Sequence, residues 1–142
     1  MSLDSIAVGA ARECARQGGG AQALIGLLKA HLYALRTSTS RLPRLSDLIE
    51  MGALVDPDHG VVRLTPVTFA SGRHAVDWSL VPSTLEVLFD RLDAEVEPAE
   101  FTKALLDVHP FRDGNGRVGW LVLNWLGGTL ADPVPLPDFY TS

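Results

Sequence analysis

The chain has 142 residues, of which 46% are hydrophobic and 20% charged, with a formal net charge of −5. These values fit one compact globular domain spanning residues 1–142, and the acidic balance argues against non-specific nucleic-acid binding, which needs a basic face. Cys14 is the only cysteine, which excludes an internal disulfide and a cysteine zinc cluster; no apolar run reaches the ~20 residues that span a bilayer, and no basic region followed by an apolar run marks a signal peptide, so a cytoplasmic chain without a membrane partner is expected.

The alanine-rich stretch from Ser5 to Gln17 favours a helix, ended by Gly18, Gly19 and Gly20. Cys14 within it reads as a small buried hydrophobe. A second helix is predicted over Ala21 to Leu35, with Leu24, Leu27, Leu28, His31 and Leu35 on one buried face. His31 on that stripe reads as a packed core histidine. Residues 37–44 form a linker rich in breakers, and LSDLIEMGAL then gives a short helix with Ser46 as its expected N-cap. These helices make up the N-terminal part, residues 1–58.

Residues 61–78 have β-branched residues, alternation and a Ser71-Gly72 turn signal, which predict a small hairpin at about 60–78. Pro66 confines its strand to an edge. VPSTLEVLFDRLDAEV returns to helix, and Pro98 opens another, since proline is tolerated in the first turn. The last fourteen residues, with Pro133, Pro135 and Pro137, read as an irregular tail. The expected fold is mainly α with one small hairpin.

The chemistry concentrates in HPFRDGNGR, His109 to Arg117. Asn-Gly is a hairpin-turn signal, but both flanks carry helical spacing. Phe101, Ala104, Leu105 and Val108 lie before it; Val118, Leu121, Val122 and Trp125 lie after it. The motif is therefore a corner between two helices, the second starting near Asn115. The first N–H groups of a helix lack intrahelical partners and carry partial positive charge, so this corner suits an anion, above all phosphate. Gly114 and Gly116 let a ligand approach the backbone, and Arg117 adds a cationic fork. Asp113 offers a hard oxygen for Mg²⁺, and His109 can accept a proton near neutral pH. Phe111 is expected to point inward. Each residue also has a plain alternative: Asp113 as a helix cap, His109 as a helix-terminal cation, Gly114 as a turn residue.

HPFRDGNGRVGW resembles the Fic signature, His-Pro-Phe-x-Asp/Glu-Gly-Asn-Gly-Arg-x-x-Arg, at eight of its nine fixed positions. GVVRLTPV, residues 60–67, is similar to the flap of Fic proteins, which holds a target segment by strand addition. The resemblance implies a Fic-like helical bundle with core helices and motif at 82–128, and transfer of AMP from ATP to a Ser, Thr or Tyr hydroxyl of a protein. It implies His109 as base, Asp113 as Mg²⁺ ligand, Gly114, Asn115 and Gly116 as phosphate ligands, and Arg117 as clamp.

The second arginine of the signature is Trp120 here. Three outcomes follow: Trp120 lies on the nucleotide or another arginine substitutes; the nucleotide turns and a phosphoryl group is transferred, as in the Doc branch; or nucleotide binds without turnover. If lost charge is the defect, Trp120→Arg should raise activity. Ser46 and Glu50 share the spacing of the family's inhibitory helix, but Met51 breaks it, so Glu50 reads as a surface residue and any restraint as the work of a separate partner.

Overall fold

The computed structural model describes residues 3–64 and 76–139. Among the described residues six α-helices carry the fold: α1 Leu3–Arg16, α2 Ala21–Ser38, α3 Leu45–Val55, α4 Val81–Asp90, α5 Pro98–Val108 and α6 Asn115–Gly127. A 3₁₀ turn, Trp78–Leu80, leads into α4. The mainly helical fold matches the expectation. No helix among the described residues is long and apolar enough to cross a membrane.

At the centre is α6, because almost its whole circumference is apolar. Val118, Trp120, Leu121, Val122, Leu123 and Trp125 are all buried. Helices α2, α3 and α5 pack around it, with α1 on α2 and α4 on α5. Leu27, Ala30, Leu48, Met51, Leu105 and Phe111 fill the space between them. Trp125 donates its indole N–H to Arg41 O at 3.0 Å, which ties the α2–α3 connection to this core.

Helix boundaries depart from the sequence reading where side chains bond to backbone. α2 runs three residues past Leu35, since Thr37 and Ser38 hydroxyls donate to the carbonyls of Tyr33 and Leu35. Ser46 is not the N-cap of α3: Arg44 occupies that position and Ser46 lies inside the first turn. The work of capping falls to Asp47, whose carboxylate accepts the Arg44 N–H at 2.8 Å. Asp47 is buried, and it also binds Arg41 and the Tyr33 hydroxyl. Helix α4 stops at Asp90 rather than running to Val96; beyond it Asp93 accepts the Glu95 N–H and turns the chain. The start of α5 at Pro98 is as expected, with the Glu97 carboxylate accepting from the N–H groups of Ala99 and Glu100.

Residues 65–75, which hold most of the expected hairpin, lie outside the described residues. What is described, Val61 to Leu64, pairs with the motif loop: Val62 stands opposite Phe111 in an isolated antiparallel bridge. His31 is packed as expected, donating Nε2–H to Leu130 O at 2.7 Å and meeting the Trp120 ring edge-on. Cys14 is buried and Glu50 exposed.

Candidate active site

The corner is built by ending one helix abruptly and starting another. At the end of α5, His109 adopts φ 54°, ψ 62°, the only positive φ at a non-glycine among the described residues. That left-handed conformation costs about 1–2 kcal/mol, so the surrounding bonds must hold it. Pro110 then forbids further helix. Phe111 turns inward and is 1% exposed, as expected. Gly114, at φ 86°, takes the N-cap position of α6, a backbone state that favours glycine.

Three clamps fix the loop. The Arg63 N–H donates to Pro110 O at 2.9 Å, and the N–H groups of Arg112 and Asp113 donate to Val61 O and His59 O. The Asn115 side chain closes a second clamp, accepting the Phe111 N–H and donating to Phe111 O, both at 2.9 Å. The third is close packing of Phe111 on Gly52 of α3, where a Cβ would stand 2.6 Å from the ring. Asn115 thus ties its side-chain amide to the loop.

Helix geometry leaves the N–H groups of Asn115, Gly116 and Arg117 without intrahelical carbonyls. Residues of this helix start and of the loop before it line two cavities. The first, about 430 Å³, is lined by His109, Asn115 and Gly116 together with Arg16, Gln17 and the tail from Leu136 to Phe139. The second, about 520 Å³, is lined by Asp113 and Arg117 with Gln17, Asp56 and Asp58. The expected site residues are therefore neighbours in the chain, but His109, Asn115 and Gly116 line one hollow, Asp113 and Arg117 line another, and Gly114 lines neither. Gln17 lines both. It donates to the Glu13 carboxylate at 2.9 Å and stands over Gly116, where a Cβ would have to push its terminal amide aside.

Burial lowers the His109 pKa, the Arg63 charge lowers it further, and Asp113 opposes them. The imidazole is thus neutral at neutral pH, the form that accepts a proton. Asp113 does not cap α6: its side chain is 65% exposed, accepts the N–H of its neighbour Gly114, and lies 3.7 Å from Arg117 Nη2. An exposed carboxylate beside helix-start amides fits Mg²⁺, which keeps most of its waters and shares phosphate oxygens. Among the described residues no three His, Cys, Asp or Glu side chains gather to form a metal cage, and a phosphate-borne Mg²⁺ needs none.

Trp120 is 1% exposed and donates its indole N–H to Val134 O at 2.8 Å. It does not line either hollow, so it is not placed to lie on a nucleotide. Its neighbour Asn124 holds the same strap, donating to Val134 O and accepting the Val134 N–H. Position 120 therefore anchors the tail, whose end walls the first cavity. Arg16, which donates to Leu136 O and to Glu13 at 2.9 Å, is the cation lining that cavity. Sequence reading missed Arg16, Gln17 and Arg63, because tertiary packing alone brings them to the corner.

The Fic/DOC family model matches residues 42–127. The chain belongs to the Fic/DOC family. Among solved structures it is similar to "Fic-1 (aa134 - 508) from C. elegans", with a TM-score of 0.63 and 27% identity over 96% of this chain. The chain spans 46% of that longer one. No curated protein matches it.

Proposed function

We propose that the protein is an adenylyltransferase that moves AMP from ATP to a Ser, Thr or Tyr hydroxyl of a partner protein. The observation that carries this reading is that His109, a neutral imidazole, lines one cavity with the first residues of α6, Asn115 and Gly116. A phosphate held at those N–H groups lies within the hollow that the imidazole lines. The substrate hydroxyl gives its proton to His109 as its oxygen attacks the α-phosphorus; the bond to the bridging oxygen breaks and pyrophosphate leaves. Arg117 offers its guanidinium to the polyphosphate from the neighbouring hollow, and Gly114 supplies the turn that aims the amides. Mg²⁺, when bound at Asp113, neutralises polyphosphate charge. Cytoplasm is the compartment this reading implies, since it supplies ATP, and any restraint on the enzyme comes from a separate partner.

Incubation with labelled ATP, Mg²⁺ and cell lysate tests the reading. α-labelled ATP should mark protein with the native chain and not with His109→Ala; equal labelling by both would contradict it. The burial of Trp120 favours a second reading, since that position offers no cation to terminal phosphates. In it the site transfers a phosphoryl group, which marks protein from γ-labelled ATP only, or binds nucleotide without turnover, which marks none.

A further inference from the structure

Arg63 is 0% exposed, an unusual state for an arginine. Its bonds run to the end of α5. Nε donates to His109 O at 2.6 Å, and Nη2 donates to Val108 O at 3.1 Å and to Val76 O. Its own N–H donates to Pro110 O at 2.9 Å. One residue thus holds the carbonyls of three consecutive residues, 108 to 110. These include the peptide groups on either side of the His109–Pro110 turn, where the backbone is left-handed.

The last carbonyls of a helix lack intrahelical N–H donors and carry partial negative charge. A cation there satisfies both needs. The planar guanidinium does so in two directions at once, which a lysine ammonium on a flexible stem does not reproduce. With the carbonyls fixed, the φ and ψ of His109 are fixed, and so is the line along which its Cα–Cβ bond leaves the chain. The same residue closes the 61–64 segment onto the loop through the bridge at Val62 and Phe111.

We propose that Arg63 is a positioning residue for the transfer reaction: its buried fork grips the carbonyls of Val108 and His109 and thereby sets the direction of the His109 imidazole into the cleft. This rests on His109 being the base of the reaction proposed above. Arg63 touches no substrate in this account. It acts on the base through the backbone.

The test is Arg63→Lys, assayed well below its melting temperature. A positioning role predicts a fall in kcat on the order of 10²-fold, the penalty of a misplacement near 1 Å. KM for ATP should stay within about twofold of native, because the α6 amides are untouched. A merely structural role predicts native kcat in whatever fraction is folded, and that result overturns the proposal. Ring signals of His109 in NMR spectra give a readout that needs no turnover. They should shift in Arg63→Lys while those of His59 do not; coincidence with the native signals overturns the claim. If Arg63→Lys does not fold, the native protein decides: its Arg63 Nε–H must exchange slowly with water and show a cross-peak to the His109–Pro110 backbone. Rapid exchange without that cross-peak overturns the proposal. A native chain that labels no protein removes the transfer reading alone, since both NMR readouts still apply.

Discussion

Trp120→Arg restores the family signature on paper, and the structure predicts that it harms the protein. Trp120 is 1% exposed, meets His31 edge-on at 5.3 Å between ring centroids, and donates to Val134 O. Truncating a buried tryptophan costs about 3–5 kcal/mol, and an arginine in its place adds the burden of a desolvated cation. The nearest polar ring, His31, is itself held neutral by burial and offers no countercharge. A loss of at least about 3 kcal/mol corresponds to a melting temperature lowered by about 10 °C for a chain of this size. Trp120→Phe separates packing from hydrogen bonding. Val134 O keeps its bond from Asn124 at 3.0 Å, so this variant should lose only about 1 kcal/mol beyond its change in volume. Thermal melts of the three proteins, with protein labelling from ATP in parallel, make the comparison. An arginine variant that melts within about 2 °C of native and labels more protein would refute the argument, because a 3 kcal/mol loss could not hide in so small a shift.

Asn115→Ala should cost about 2–4 kcal/mol in denaturant melts, because it strips both bonds from the buried Phe111 backbone; an unchanged midpoint would show that the clamp is idle. Burial lowers the His31 pKa despite the bond to Leu130 O, so the unfolded chain binds the proton more readily. Stability should therefore be full above pH about 6.5 and decline as pH falls from there, a slope that His31→Gln flattens in melts at pH 7.5 and 5.5. The neutral His109 imidazole predicts that the acid limb of kcat/KM bends below about pH 6.5, whereas a bend above that value would mean that nearby carboxylates dominate.

What the sequence made legible was local. Helical spacing on both sides of the motif placed α5 and α6, and the glycines with Asn115 placed the corner between them, because the turn's own residues signal where it falls even though distant contacts hold its shape. Ends decided by hydroxyl-to-carbonyl bonds, as at Thr37 and Ser38, were not legible, since those residues read equally well as linker. The same holds for contacts between distant segments. Arg16 reaches Leu136 across 120 positions, and Arg63 reaches His109 across 46. Neither shows a spacing pattern. Trp120 was legible as a departure from the signature, but not as the anchor of the tail. That role needs Val134 to come back beside α6, and only the packed structure brings it there.

The central claim is that the opening amides of α6 receive a polyphosphate beside His109. Titration of the isotopically labelled protein with ATP and Mg²⁺, followed by amide NMR, tests it most directly. The account predicts saturable shifts concentrated at Gly114 to Val118 and retained in His109→Ala. Amides of this segment that stay still while ATP binds elsewhere, or while nothing moves at all, would contradict it.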